Sequence, residues 1–184
     1  MNKFKDVLNA FEDKIQNINP FLLSCFNHGI DNPEKIKAIL KKNRLEPTED
    51  LVIFYQWKNG IDKSKIVLDY RAHFCLWGIF FPLEYQEELY QITLEMNELY
   101  FPIMENRILI NLDIKSTNYG SVFLFDPSLQ IIEPKLLFNS IKPMFLFFIE
   151  CFEQKAFIYN YECNGDLEIN WDLYNSLLIK YQLL

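Results

Sequence analysis

Two short pairs of soft donors are the residues of this chain best suited to chemistry. Cys25 and His28 lie three positions apart, and His73 and Cys75 lie two positions apart. Together they have the sulfur and nitrogen donors of a tetrahedral zinc site. The spacings match no standard zinc finger, and both pairs lie among apolar residues. Buried structural side chains explain them equally well, so zinc binding is the weaker interpretation.

Other catalytic patterns have less support. Cys25, Cys75, Cys151 and Cys163 are irregularly spaced, and none is flanked by the sequence of a cysteine hydrolase. The chain has only five glycines and no Gly-rich phosphate-binding run. We therefore expect reduced thiols, no cofactor and no enzymatic activity.

The charge of the chain favours a protein partner over nucleic acid. The 184 residues carry a net charge of −7, whereas phosphate recognition requires clustered Lys and Arg. An acidic protein attracts a basic partner. The acidity is concentrated between positions 72 and 106, where six Glu occur without Lys or Arg.

Five of those six glutamates lie on a predicted amphipathic helix over Glu84–Glu98. Its apolar stripe has helical spacing, and its opposite face is acidic with no Lys four positions on. A solvated face is the ordinary interpretation, but uncompensated repulsion also invites a basic partner. Candidate partner contacts are Glu84, Glu87, Glu88 and Glu95, with Asp62, Asp69 and Tyr70 as a second region.

The apolar segments of the chain indicate its location in the cell. The N-terminal segment is polar and charged, without the apolar core of a secretory signal. The apolar run from Met144 to Ile149 is far shorter than the roughly 20 residues of a membrane-spanning helix. We expect a cytoplasmic protein that does not cross a membrane.

Helices dominate the first third of the chain. Apolar residues from Phe4 to Ile18 recur every three or four positions, which predicts a helix ended by Asn19-Pro20. Asn32-Pro33 predicts a capped helix start. A third helix begins after Pro47-Thr48 and ends at Asn59-Gly60, where Gly60 is expected to adopt the left-handed C-cap conformation.

Strands dominate the rest. Segments 107–114 and 121–126 alternate or are rich in Val and Phe, and a third short strand is predicted over 129–132. A mostly apolar helix is expected from Ser140 to about Lys155. A hairpin around Asn164-Gly165 follows, in which Leu167, Ile169 and Trp171 alternate after the turn, and then a short closing helix. The pattern predicts one α+β domain over residues 1–184, with a mostly antiparallel central sheet covered by helices.

Three segments, taken in order, resemble the SUKH superfamily. Residues 47–60, Pro-Thr-Glu-Asp-Leu-Val-Ile-Phe-Tyr-Gln-Trp-Lys-Asn-Gly, resemble its helix signature. Residues 101–103 with 108–113, and then 119–126, resemble its central strands, and 138–152 its following helix. The resemblance covers roughly residues 30–155, flanked by N-terminal helices (1–45) and the C-terminal hairpin and helix (157–184). Residues 139–143 depart from the usual Ser-Phe-acidic helix start.

The resemblance implies an α+β fold and a binding function. The superfamily includes immunity proteins of bacterial polymorphic and contact-dependent toxins, and regulators of yeast cell-wall assembly. An immunity protein occludes its toxin and needs a complementary surface. The candidate acidic residues then become toxin contacts, with a basic nuclease as one class of toxin. Trp57, Asn59, Gly60 and Gly120 carry the signature and are interpreted as structural, and a scaffold module is the alternative function.

Overall fold

Six stretches of the chain are described by the computed structural model: residues 3–61, 80–85, 100–104, 108–126, 131–160 and 166–182. Their helices are α1 (Phe4–Ile18), α2 (Pro20–Cys25), α3 (Pro33–Lys42), α4 (Glu49–Trp57), α5 (Ile141–Glu153) and α6 (Trp171–Gln182). Their strands are β1 (Phe26–His28), β2 (Lys58–Ile61), β3 (Tyr100–Met104), β4 (Ile108–Asn111), β5 (Val122–Asp126), β6 (Ile131–Phe138), β7 (Phe157–Asn160) and β8 (Asp166–Ile169).

Side-chain caps start the N-terminal helices where the sequence predicts them. The Oδ1 atom of Asn32 accepts the Glu34 N–H at 2.9 Å, and Pro33 occupies the first turn of α3. The Oγ1 atom of Thr48 accepts the Leu51 N–H at 3.1 Å at the start of α4. Each cap pairs a backbone donor that a helix start leaves without a partner.

The strands are antiparallel, as predicted. Strands β3, β4, β5 and β6 form a four-stranded meander in that order, while β1 pairs with β2 and β7 pairs with β8. Phe80 joins the first pair to the meander. Its carbonyl accepts the Ile61 N–H at 2.7 Å, and it forms an antiparallel bridge with Met104. The α+β fold with antiparallel sheets is confirmed.

One side of the meander packs against helices through a cluster of aromatic rings. Phe145 of α5 stacks on Phe80 with ring centroids 5.7 Å apart. It also makes an edge contact with Phe11 of α1 at 5.1 Å and lies 5.9 Å from both Phe54 and Trp57 of α4. The amphipathic face of α1 and the apolar helix predicted from Ser140 are both confirmed by this packing.

The other side of the meander carries a second buried cluster. Leu109, Phe123 and Phe125 are each buried, and the Tyr100 ring makes an edge contact with Phe123 at 5.1 Å. Their neighbours along β4 and β5, such as Ile110, belong to the main core instead. Because successive strand residues point to opposite faces, both faces of these strands are buried.

Two predicted elements differ in the structure. The strand expected over 129–132 is β6 and extends over Ile131–Phe138, continuing through Pro134. Pro134 is tolerated because, in the described sheet, β6 is an edge strand and the missing N–H removes no necessary pairing. Trp171, expected to alternate within the hairpin, begins α6. Most of the helix predicted over 84–98, and the Asn164-Gly165 turn, lie outside the described residues.

Among the described helices, none combines the length and the apolarity needed to span a bilayer.

Candidate functional site

Gly60 lies at a close approach between two segments. Its φ is +68°, in the left-handed region as predicted. The assignment to a helix C-cap is wrong, because α4 ends at Trp57, its cap Lys58 is extended, and Gly60 lies within β2. A Cβ here would stand 2.1 Å from the carbonyl carbon of Phe81. Glycine is therefore required both by φ and by the backbone against it.

Asn59 pins the segment after Phe80 to β2. Its Oδ1 accepts the Leu83 N–H at 2.8 Å, and its Nδ2 donates to Oε2 of Glu84 at 3.2 Å. Lys35 of α3 donates from Nζ to the other carboxylate oxygen of Glu84 at 2.9 Å. The structural interpretation of Asn59 agrees with these contacts, which join α3, β2 and residues 83–84.

Glu84 is thus held by internal partners. Burial alone raises the pKa of its carboxyl, but hydrogen bonds from Lys35, its own backbone and Asn59 outweigh burial and hold the pKa below the usual range. Its side chain is 48% exposed, so an outside partner has access to only half of it. The other candidate contacts, Glu87, Glu88, Glu95, Asp62, Asp69 and Tyr70, lie outside the described residues.

Tyr55 is buried on the core side of α4. Its hydroxyl is the buried side-chain polar atom without a hydrogen-bond partner among the described residues. Burial, and secondarily the negative charge of Glu84, raise the pKa of Tyr55 far above its usual value. The phenol therefore stays neutral and contributes its ring to the core, where it lies 5.0 Å from the Phe54 ring.

Gly120 ends an ordered loop between β4 and β5. Its φ is +82°, and a Cβ would come within 3.2 Å of the Cγ2 atom of Thr48. The loop is held by Asn111, which receives the Gly120 N–H on its carbonyl at 2.8 Å, and by Tyr119, whose hydroxyl donates to the Glu46 carbonyl at 3.2 Å. The left-handed φ of Gly120 and the nearby Thr48 side chain both favour glycine at this position.

Trp57 packs in the core and reaches its surface. Its Nε1 donates to Oε2 of Glu12 at 2.7 Å, and Lys58 pairs with the other oxygen of Glu12 at 3.0 Å. Its ring lies 6.0 Å from Phe11 and 5.8 Å from Phe26. Trp57 thus packs against aromatic rings of the core, while its side chain remains partly exposed.

That exposed part lines a groove of about 820 Å³ beside α4. Residues 49, 50, 53, 56 and 57 recur at helical spacing, so one face of α4 forms a wall. The start of α1, Asp31 two positions before α3, and the start of α5 complete it. The described lining residues are Lys3, Phe4, Lys5, Asp31, Glu49, Asp50, Ile53, Gln56, Trp57 and Lys142.

The groove combines charges of both signs with an apolar floor. Burial raises the pKa of the Asp50 carboxyl, and the neighbouring Glu49 raises it further, while Lys142 only partly opposes them. Burial, more than any neighbouring charge, therefore disfavours the ionised form of Asp50. Chemically, the described lining offers carboxylates, amines, an amide and an indole, a set suited to recognising a polar chain.

The first pair of candidate zinc ligands, Cys25 and His28, lies in two unlike environments. Cys25 ends α2 and is 1% exposed, whereas His28, in β1, is exposed. His73 and Cys75 lie outside the described residues. Within the six described stretches, no group of three or more His, Cys, Asp or Glu could hold a metal ion.

The groove could not be predicted from the sequence because four separate segments of the chain form it. The sequence places Glu49 and Asp50 within the signature of residues 47–60 and indicates only a structural role for Trp57. A weak signal existed in the spacing of α4, where Glu49, Ile53 and Gln56 share a face opposite to Leu51 and Tyr55.

Two comparisons with known proteins assign no family to this chain. A scan against models of protein families found no match, and a search of curated proteins also found none.

Proposed function

We propose that this chain is an immunity protein that binds and neutralises a polymorphic or contact-dependent toxin. The observation that carries the proposal is the order of the SUKH-like segments, 47–60, 101–113, 119–126 and 138–152. The resemblance is to proteins that act by occlusion, which needs a binding surface and no chemistry. We further propose that it acts in the cytoplasm, as a non-enzymatic protein without a cofactor.

Contacts between the signature segments support this proposal. Gly120 of the strand segment faces Thr48 at the start of the helix segment. Phe54 of the helix segment lies 5.9 Å, between ring centroids, from Phe145 of segment 138–152. The signature segments therefore contact one another across the fold, as expected of residues that stabilise a common framework.

The acidity of the chain supports a basic toxin. A net charge of −7 produces a field that accelerates encounter with a basic protein and is weakened by salt. A basic nuclease fits because carboxylates can occupy the positions of phosphates along its substrate track. Toxins of other classes with basic surfaces fit the same argument.

Co-expression tests the function directly. The full chain is expressed with the toxin domain encoded beside its gene, and survival is scored with and without it. We expect survival and a complex that co-purifies at one-to-one stoichiometry. An unrelated toxin with the same fusion tag is the control. If cells that express the neighbouring toxin die both with and without this chain, and no complex forms, the immunity function is refuted.

A scaffold module is the second candidate, favoured by the resemblance to regulators of yeast cell-wall assembly. Several weak partners without protection from a toxin would support it. Zinc binding is the third and weaker alternative. A metal analysis of the purified protein that finds one equivalent of zinc would revive it.

A further inference from the structure

The groove beside α4 contains negative charge that its own lysines do not pair. Within the described residues, Asp31, Glu49 and Asp50 form no ion pair within 4 Å, whereas Glu12, Glu46 and Glu84 each pair with a lysine. Asp50 is the partly buried member of the three. Because no described lysine forms an ion pair with it within 4 Å, this partly buried carboxylate can gain from an incoming cation.

The floor of the groove favours a flat cation. Trp57 already donates its indole N–H to Glu12, and Nζ of Lys58 lies 5.9 Å from the centroid of its ring. The partly exposed ring, which already lies near one cation, is therefore the surface that Trp57 can offer the groove. Phe4 and Ile53 lie beside it in the lining. A guanidinium stacks on such a ring and also pairs with carboxylates through two parallel hydrogen bonds, which an ammonium cannot do.

We propose that this groove receives an arginine side chain of the toxin, stacked over Trp57 and paired with Glu49 and Asp50. This inference rests on the immunity function proposed above and names its contact surface. It moves the main contact from Glu84, which is held by Lys35 and Asn59, to α4.

The lysines of the groove make the charge of the occupant testable. Lys3 and Lys5 are exposed, so solvent screens them, but Lys142 acts directly on Asp50. Removing the Lys142 charge should strengthen the binding of a cation and weaken the binding of an anion. Removing the carboxylates should have the opposite effects.

The decisive experiment measures the Kd of the full chain for the toxin domain encoded beside its gene, in a catalytically inactive form. We expect the double substitution Glu49→Gln with Asp50→Asn to raise the Kd by about 30-fold or more, the effect of truncating a buried charge pair. Lys142→Gln should lower the Kd severalfold. Glu133→Gln, at an exposed carboxylate on β6 outside the groove, should change it less than about twofold.

The outcomes separate the two proposals. A parent chain that does not bind the toxin overturns the immunity function, and this inference with it. A parent chain that binds, together with a double variant of unchanged Kd, overturns only the arginine site. If the double variant melts early, Lys142→Gln decides alone: tighter binding supports the site, and unchanged or weaker binding overturns it.

Discussion

Asn59 and Glu84 are joined directly, with Nδ2 of Asn59 donating to Oε2 of Glu84 at 3.2 Å. One is a signature residue that the sequence predicts to be structural, and the other is a predicted partner contact. This hydrogen bond places both residues in one network, in which Nζ of Lys35 donates to the other carboxylate oxygen of Glu84. Residues 83–84 are thereby fastened to β2 and α3.

Glu84→Gln should lower the free energy of unfolding by less than about 1 kcal/mol at pH 7, since the pair with Lys35 is half exposed. The pKa of Glu84 lies below its ordinary value of 4.5. The stabilisation is therefore fully present above that value and is lost as the pH falls through the lowered pKa. Denaturant unfolding at pH 7 and pH 3 measures this, and an equal effect at both pH values would contradict the ion pair.

Gly60→Ala should prevent stable folding or lower the free energy of unfolding by more than about 3 kcal/mol. The left-handed φ alone accounts for about 1–2 kcal/mol, and the new Cβ would meet the Phe81 backbone, which cannot move as a side-chain end can. Gly120→Ala is the matched comparison. It has a similar φ but faces only a Thr48 methyl group, so its loss should stay near 1–2 kcal/mol. Thermal melting compares them, and equal losses would show that the Phe81 contact is unimportant.

Tyr55→Phe should leave stability unchanged or raise it by about 1 kcal/mol, because it removes a buried hydroxyl without a partner among the described residues. Tyr181→Phe is the opposite case. The Tyr181 hydroxyl donates to Glu150 at 2.6 Å, so its removal should lower stability by about 1–2 kcal/mol. Chemical denaturation of both variants tests the pair. A clear loss in Tyr55→Phe would reveal a partner for that hydroxyl.

Glu150 should make the packing of α6 on α5 sensitive to acid. Hydrogen bonds from Lys180 and then Tyr181 lower the pKa of its carboxyl, against the effect of burial, and Gln154 also donates to it. A lowered pKa contributes stability that is present above its ordinary 4.5 and disappears as the pH falls through the lowered value. Stability between pH 6 and pH 3 should fall less in Glu150→Gln than in the parent. Parallel pH profiles would refute this role.

The local features of this fold are those that its sequence predicts. Asn32 and Thr48 cap helices because their side chains reach a backbone N–H within the same turn, which depends on no other part of the chain. The buried face of α1 follows from its spacing for the same reason. The left-handed φ of Gly60 was also predictable, since Asn-Gly after an apolar run demands a change of direction.

The features that need distant partners could not be predicted. The contact of Trp57 with Glu12 spans 45 residues, and that of Lys35 with Glu84 spans 49. Gly29 shows the same limit, because a Cβ there would lie 1.8 Å from the Gln56 carbonyl oxygen, and no local pattern announces that neighbour. The groove beside α4 likewise exists only once four segments have come together.

The contact between Phe11 and Phe145 has a consequence for the synthesis of the chain. Phe145 follows Phe11 by 134 residues, so at roughly 5–20 residues per second the ribosome needs roughly 7–27 s to produce the partner of α1. During that interval the apolar face of α1 has no α5 to cover it. The nascent chain therefore exposes this apolar face until α5 has been synthesised, and α1 cannot complete its packing before then.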